Sequence, residues 1–414
     1  MNAPGVDDGD LPGRGRNLAL ATWAFAVTFW AWNIVGPLAV RYAQDMHLNS
    51  NQKALLVATP VLVGAVGRIP VGALTDRYGG RLMFPIITAA TAPLVLLVAV
   101  AGNAGSFALM LVFGFFLGLA GTTFAIGIPF VNQWYRPSRR GFATGVFGAG
   151  MGGTALSSAF TPRFVAWFGY TTTHVILAVA LVATAALCWF GMRNSPKYVP
   201  NTDPVLPKLR AALKLPVTWR MSLLYGVVFG GFVAFSTYLP TYLKDVYSFD
   251  LAGAGTRTAG FAIAAVIARP IGGILSDRIG PRTVVSIALL GTAVLAAVVA
   301  FQPPLEWPAG VDFVGLAFFL GLGTGGVFAW VARLAPPERV GSVTGLVGAA
   351  GGLGGYFPPL VMGATYELLL PGYGIGLALL TLVALGAMVF ARFGIKDAPR
   401  EVAKAGPERR RGFG

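Results

Sequence analysis

The chain has few charged residues for its length, and few of the residues on which enzyme active sites depend. Only 11% of its 414 residues are charged, whereas soluble domains carry about a quarter. It contains one cysteine, Cys188, and two histidines, His47 and His174. No zinc-ligand spacing, nucleophile elbow or phosphate-binding loop is present. The sequence therefore argues against a soluble enzyme, a disulfide-rich secreted protein and a disordered chain, and it predicts no metal and no cofactor.

Long apolar segments fill most of the chain. Hydrophobic residues make up 55% of it, and the mean hydropathy is +0.69. An outer-membrane barrel would instead show alternating strands of about ten residues. Windows of about twenty apolar residues can each cross a hydrocarbon core of roughly 30 Å. We predict an all-α integral membrane protein with twelve transmembrane helices, near residues 18–40, 54–74, 82–101, 106–132, 140–160, 170–191, 219–241, 257–276, 283–302, 311–332, 341–364 and 372–393.

Positive charges are distributed unequally between the two sets of predicted loops. With the N-terminus inside, the inner segments carry 24 Lys and Arg residues and the outer loops carry five. Because cytoplasmic loops are enriched in these residues, we expect a multi-pass protein of the cytoplasmic (inner) membrane with both termini in the cytoplasm. The net charge of +15 then reflects topology and contact with membrane lipid, and not binding of nucleic acid.

A polar, proline-rich stretch divides the chain into two halves that repeat each other. Residues 68–81 (RIPVGALTDRYGGR) return at 269–282 (RPIGGILSDRIGPR), and residues 141–152 return at 341–352. Two homologous six-helix bundles are typical of transporters that rock around a central site. A monomer is the default expectation. The predicted parts are an N-terminal cytoplasmic tail (1–17), an N-terminal bundle (18–191), a cytoplasmic linker (192–218), a C-terminal bundle (219–393) and a cytoplasmic basic tail (394–414).

Two arginines, Arg68 and Arg269, lie inside predicted spans at equivalent positions of the repeat. An arginine at the bilayer centre costs about 2.5–3.5 kcal/mol, so it normally faces a polar cavity. No Asp or Glu lies in the middle of a span to neutralise either one. We expect the pair to face each other and to bind a planar monovalent anion such as nitrate or nitrite through their forked guanidinium groups. The alternative, in which both arginines only hydrogen-bond helix carbonyls, stays open.

Further side chains are expected around this anion or along its path. Phe124, Tyr225 and Phe229 could close the site above and below, although ordinary packing is an equally good reading. Glycines on spans five and eleven let helices approach closely and slide; they are Gly145, Gly148, Gly150, Gly152, Gly345, Gly348, Gly351, Gly352, Gly354 and Gly355. Charged residues in two cytoplasmic loops are expected to latch the inner side shut in the outward-open state; they are Asp76, Arg77, Arg81, Asp277, Arg278 and Arg282.

The pattern Gly-x-x-x-Asp-Arg-x-Gly-x-Arg at 72–81, repeated at 273–282, resembles the loop signature of the major facilitator superfamily. More narrowly, the chain resembles the nitrate/nitrite porter (NarK-type) family over residues 18–395, notably in GVFGAGMGG (145–153) and GLVGAAGGLGGYFPP (345–359). The resemblance implies the major facilitator fold and a transporter of nitrate or nitrite that is not an enzyme. It also implies that Arg68 and Arg269 bind the anion and that Phe124, Tyr225 and Phe229 enclose it.

Three questions remain open at the level of sequence: the effect of Met151, the mode of coupling and the identity of the anion. Met151 stands where members of the family often carry an asparagine, so the side-chain amide contact expected from span five is in doubt here. The partners are nitrate, nitrite and, if transport is a nitrate/proton symport, protons. The absence of a carboxylate or histidine in mid-membrane favours nitrate/nitrite antiport, whereas the short chain resembles proton-coupled members as much as exchangers. The alternative function is a major facilitator porter for another small monovalent organic anion.

Overall fold

A computed structural model describes residues 11–136, 139–201, 204–303, 310–336, 339–366 and 372–395. Across these ranges all regular structure is helical and no strand occurs, so the prediction of an all-α protein is confirmed. The predicted basic tail lies outside the described residues from 396 onward, and so do the first ten residues of the N-terminal tail.

The first half folds into six spans, four of which are interrupted. A 3₁₀ turn at Gly118–Thr122 divides span four, and another at Ala149–Gly152 divides span five. Single residues or short links divide spans one and two. The helices are α1 (Arg14–Trp32), α2 (Val35–Asp45), α3 (Ser50–Val66), α4 (Arg68–Tyr78), α5 (Gly80–Asn103), α6 (Phe107–Leu117), α7 (Thr123–Asn132), α8 (Arg140–Gly148), α9 (Gly153–Phe168) and α10 (Tyr170–Gly191).

The second half repeats the six spans with unbroken helices. A short helix, α11, precedes them in the linker, and a π-helical turn at Phe390–Gly394 follows the last one. Spans seven to twelve are therefore one helix each, apart from that final turn. The helices are α11 (Val205–Leu213), α12 (Pro216–Tyr247), α13 (Leu251–Ile279), α14 (Pro281–Ala300), α15 (Gly310–Leu334), α16 (Val340–Thr365) and α17 (Gly374–Val389).

Ten helical segments in the described part of the chain are long and apolar enough to cross a membrane. The two predicted spans without such a segment are span five and span eleven, which form the glycine-rich pair. Both segments are rich in glycine, which adds almost nothing to hydropathy. Both segments nevertheless pack inside the protein, in contact with α1 and with α3 and α12 respectively.

Two glycines of the repeated loop signature make the sharp connections between neighbouring spans. Gly79 (φ 79°, ψ 156°) separates α4 from α5, and Gly280 (φ 91°, ψ 140°) separates α13 from α14. This backbone conformation is essentially restricted to glycine. Each glycine N–H also donates to a carbonyl four residues earlier, that of Thr75 or Ser276. The signature glycine is therefore a backbone requirement of the loop, independent of what the protein transports.

Three pairs of helices form most of the contacts between the two halves: α3 with α16, α9 with α13 and α2 with α12. Spans two and eleven, five and eight, and one and seven thus line the interface between the halves. The linker helix α11 packs on α16 and α12 at the end of the molecule where α4 ends. We call this end the Asp76 face and the opposite end the Asp245 face, after residues near the ends of α4 and α12.

Candidate anion-binding site

Arg68 begins α4, directly after the interruption of span two at Gly67. The residue is buried, with 4% of its surface exposed. Its Nη1 donates a 2.8 Å hydrogen bond to the carbonyl of Gly348 on α16, in the other half. Its Cζ lies 5.0 Å from the centre of the Phe124 ring and 5.4 Å from that of Phe229. Nε has no hydrogen-bond partner, so a donor of this guanidinium is unused.

Arg269 lies within α13 and reaches the same space from the second half. Its Nη1 is 2.6 Å from Sδ of Met151, and its Nη2 is 3.5 Å from the hydroxyl of Tyr225. Its Cζ lies 5.4 Å from the ring centre of Phe124 and 5.7 Å from that of Phe328. Each arginine therefore contacts a residue of the opposite half, and both share the ring of Phe124.

The aromatic side chains predicted around the anion form one stack. The Tyr225 and Phe229 rings lie 4.9 Å apart at an angle of 7°, and the Phe229 and Phe124 rings lie 6.5 Å apart at 26°. Phe328 also packs against Tyr225, with ring centres 4.6 Å apart at an angle of 56°. The structure thus brings together all five predicted substrate-binding residues: Arg68, Arg269, Phe124, Tyr225 and Phe229.

Phe328 is a site residue that the sequence analysis missed. The segment FFLGL occurs at 115–119 and again at 318–322, an offset of 203. That offset carries Phe124 to position 327, one residue before Phe328. The repeat therefore points to the neighbourhood of Phe328, but a search for aromatic residues at strictly equivalent positions misses Phe328 by one residue.

Neither guanidinium is neutralised by an acidic side chain among the described residues. The ion pairs found there join Arg41 to Asp45, Lys53 to Asp245 and Arg333 to Asp277. The acceptors that Arg68 and Arg269 do have, a carbonyl, a thioether and a tyrosine hydroxyl, are neutral. A buried charge without a counter-ion is costly, so a small anion placed between the two forks would remove an unfavourable interaction on both sides.

A cavity of about 360 Å³ extends from Arg68 toward the Asp76 face. Span two, span four and span eleven form its walls, and the linker helix α11 covers part of its end. Through this cavity an anion at Arg68 can reach that face. Its lining includes Arg68, Gly72, Asp76, Phe124, Asn132, Lys208, Ser342, Gly345 and Gly348.

The predicted signature glycines fall into two groups according to what a side chain would meet. A Cβ would overlap Phe25 at Gly150, Tyr225 at Gly351, Ala65 at Gly352, Gly226 at Gly354 and Val233 at Gly355. At Gly145, Gly148, Gly152 and Gly345 a Cβ would have open space, and at Gly348 it would meet only the Phe124 ring at 3.8 Å. Close packing therefore accounts for the first group, whereas Gly345 and Gly348 border the cavity.

The six residues predicted to form a latch lie at the Asp76 face, and their described hydrogen bonds and ion pairs join them to their own half or to the linker, not to the opposite half. Asp277 pairs with Arg333 at 3.5 Å, the Arg81 N–H donates to Asn194, and Arg282 donates to the Arg392 carbonyl. Asp76 accepts hydrogen bonds at its backbone carbonyl from the Tyr198 hydroxyl and the Asn201 N–H. The remaining two, Arg77 and Arg278, are exposed. The latch role stays a prediction.

Two homologous helical bundles, a pair of arginines between them and a cavity leading to one face define a secondary transporter. The comparisons with known proteins agree. The chain belongs to the major facilitator superfamily, whose profile matches residues 21–256 and 247–413, and within it to the family of nitrate/nitrite porters. The predicted family and fold class are thereby confirmed, as is the prediction that the protein is a transporter and not an enzyme.

Three relatives illustrate the family. A probable nitrate/nitrite transporter of Mycobacterium tuberculosis is 60% identical, covering 95% of this chain and 100% of its own. A probable nitrate/nitrite antiporter of Thermus thermophilus is 36% identical over 87% of both chains. A nitrite extrusion protein of Bacillus subtilis is 32% identical over 90% of this chain and 92% of its own.

Solved structures of other transporters share the fold. The human organic anion transporter MFSD10 matches 92% of this chain and 100% of its own with a TM-score of 0.71 and 15% identity. A bacterial homologue of the lysosomal transporter Spinster matches 93% of this chain and 96% of its own with a TM-score of 0.69 and 18% identity.

Proposed function

We propose that the protein exchanges nitrate and nitrite across the cytoplasmic membrane by alternating access. The observation that carries this proposal is the pair Arg68 and Arg269, one from each half, which share the ring of Phe124 and have no acidic partner among the described residues. Arg68 is buried and Arg269 is half-buried. The relatives support the choice of anion, because three of them are named for nitrate or nitrite.

The anion is proposed to bind in the plane of the two guanidinium forks. A guanidinium presents parallel N–H donors that match two oxygens of a planar oxyanion, and charge-assisted hydrogen bonds of this kind are stronger than neutral ones. Binding would replace the contacts of Arg68 with the Gly348 carbonyl and of Arg269 with the Met151 sulfur. Phe124, Tyr225 and Phe229 would supply flat apolar walls that suit a weakly hydrated anion.

The same charges give a physical reason for exchange. When the site is empty, two like charges face each other in a medium of low dielectric constant and repel. An anion offsets that repulsion, so the closed intermediate is more favourable when the site is occupied. Around the two arginines, no Asp, Glu or His among the described residues contacts either guanidinium. An empty carrier is therefore expected to reorient slowly, which couples uptake of one anion to release of another.

The orientation in the membrane is part of the proposal. The Asp76 face carries the linker and the arginine-rich loops, and positively charged loops remain in the cytoplasm. We therefore place the Asp76 face and both termini in the cytoplasm and the Asp245 face outside. In this arrangement the cavity at Arg68 is open toward the cytoplasmic side. Contact of the basic loops with anionic lipid follows from the same arrangement.

Competition between anions tests the choice of substrate against the organic-anion alternative. Uptake of labelled nitrate would be measured in proteoliposomes in the presence of excess nitrite, formate or lactate. Nitrite is expected to compete strongly, whereas lactate is expected to have little effect because it is bulkier and not planar throughout. Competition by lactate or formate equal to that by nitrite would instead favour a porter for organic monoanions.

A further inference from the structure

The two halves are joined at the Asp245 face by an ion pair that is largely buried. Nζ of Lys53, in the first turn of α3, lies 2.6 Å from Oδ2 of Asp245, near the end of α12. The exposed fractions of the two side chains are 10% and 16%. The predicted spans place Lys53 in an outer loop. In the structure its side chain is instead buried between the bundles, and its charge is paired with a carboxylate of the other half.

Tyrosines complete the surroundings of this carboxylate. The Tyr373 hydroxyl donates a 2.6 Å hydrogen bond to the same Oδ2 of Asp245. The Tyr238 hydroxyl lies 3.4 Å from that of Tyr373, and the Tyr242 and Tyr373 rings pack 5.2 Å apart. Asp245 therefore receives one donor from the first half and one from the second. Because removing one partner of a buried pair leaves the other charge uncompensated, such a pair is sensitive to separation of the halves.

The first half contains the equivalent residues without the connection between halves. At the repeat offset of 200, Asp245 corresponds to Asp45 and Tyr242 to Tyr42. Asp45 pairs at 3.3 Å with Arg41 of its own helix, and its side chain is 54% exposed. The same carboxylate position thus forms a local, solvated pair in one half and a buried pair across the interface in the other. This difference indicates a function for Asp245 that the repeat alone does not require.

We propose that Lys53, Asp245 and Tyr373 form the outer lock of the transporter. The proposal rests on the alternating access proposed above. While the lock is closed, the Asp245 face is sealed and the cavity at Arg68 reaches only the Asp76 face. When the halves part at the Asp245 face, Lys53 leaves with the first half and Asp245 with the second. Lys53 then becomes a free cation at the mouth of the opened path, where it attracts anions toward the arginine site.

Thr241 provides a reporter for opening at this face. Thr237, Thr241 and Asp245 are four residues apart and lie on one side of α12, and the Thr237 carbonyl packs against Gly36 of the first half. Thr241 is fully buried between these two contacts. Ser342, which lines the cavity at the Asp76 face, provides the opposite reporter. Thr241→Cys and Ser342→Cys would be made separately in a Cys188→Ala background, which removes the native cysteine.

The experiment measures the rate at which a thiol reagent labels each reporter in the purified full-length protein. Lys53→Met and Asp245→Asn are each expected to raise labelling of Thr241→Cys by at least about tenfold, because breaking a buried pair strongly favours separation. Labelling of Ser342→Cys is expected to fall in the same variants, since opening one face closes the other. The reversed pair, Lys53→Asp with Asp245→Lys, is expected to restore both rates. Asp45→Asn is the matched control and is expected to change neither.

Three results would overturn the lock. Unchanged labelling of both reporters would show that the pair does not hold the face closed. Faster labelling of both would show that the pair holds the fold together and does not switch between faces. Failure of the reversed pair to restore the rates would show that the two charges act separately. None of these measurements uses nitrate, so they succeed or fail independently of the proposed substrate.

Discussion

Arg68 and Arg269 occupy equivalent positions of the repeat, yet they have different partners. Arg68 donates to a backbone carbonyl, which any residue at 348 would supply, whereas Arg269 contacts the side chain of Met151. The two ends of the anion site are therefore not equal. The Arg269 end depends on the residue at 151, so this is where the identity of one side chain is expected to tune the choice between anions.

Replacing either arginine by lysine tests the role of the fork. Arg68→Lys and Arg269→Lys keep the positive charge but remove the parallel donors. Each is expected to weaken nitrate binding by about ten- to a hundredfold, which corresponds to the loss of one hydrogen bond to a charged group. Binding would be measured on the purified protein by titration calorimetry. Arg41 is a half-buried arginine outside the site, so Arg41→Lys is the control and should bind normally. Normal binding by both site variants would refute the bidentate arrangement.

Replacing Met151 by asparagine tests the asymmetry of the site. An amide N–H at this position can donate to a third oxygen, which nitrate has and nitrite lacks. Met151→Asn is therefore expected to raise the ratio of nitrate affinity to nitrite affinity by about two- to tenfold, the value of one additional net hydrogen bond. Met151→Leu, which conserves volume but has no donor, should leave the ratio unchanged. If both substitutions change the ratio equally, the change arises from packing and not from the amide donor.

The sequence predicts most of the anion site but not the ion pair of Lys53 and Asp245. The arginines and Phe124, Tyr225 and Phe229 were identifiable because charge in a span is rare and because the family pattern contains them. Lys53 and Asp245 were not, because they are 192 residues apart and each lies near a helix end where charge is common. Only the three-dimensional arrangement shows that the two side chains are buried against each other.

The helices of the two halves differ where they pass the site. Spans two, four and five of the first half are interrupted at Gly67, Gly118–Thr122 and Ala149–Gly152, close to Arg68, Phe124 and Met151. The matching spans eight, ten and eleven are continuous. Interrupted helices expose backbone groups and often mark sites of movement or binding. Glycine content does not explain the difference, because 341–355 is as rich in glycine as 141–153 and yet forms one helix.

The close contact between α12 and α16 can be tested by substitution. A Cβ at Gly354 would overlap the carbonyl of Gly226, so Gly354→Ala should force these helices apart. Overpacking of this kind costs about 1–3 kcal/mol of stability, so the melting temperature should fall. Gly345→Ala is the matched control on the same helix. Its Cβ has open space, and alanine favours a helix over glycine by about 0.5–1 kcal/mol, so its melting temperature should stay the same or rise. Equal melting of both variants would contradict the packing argument.

For the molecule as a whole, the sequence predicts the fold but not which face of the transporter is closed. Twelve apolar windows, an internal repeat and a strong bias of positive charge specify two bundles in a membrane. They do not specify which face is closed, because both conformations of such a transporter have the same helices. The structure is closed at the Asp245 face by the pair of Lys53 and Asp245, and its cavity reaches the Asp76 face.

The central claim is that a monovalent planar anion held by Arg68 and Arg269 permits the two bundles to exchange faces. The most direct test loads proteoliposomes with nitrite, adds nitrate outside and imposes no proton gradient. The account predicts nitrate uptake that requires nitrite inside, little uptake into vesicles without it, and strongly reduced uptake with Arg68→Lys or Arg269→Lys at the same nitrate concentration. Uptake into empty vesicles driven by an acidic exterior would contradict exchange, and no nitrate movement under either condition would contradict the assignment of the substrate itself.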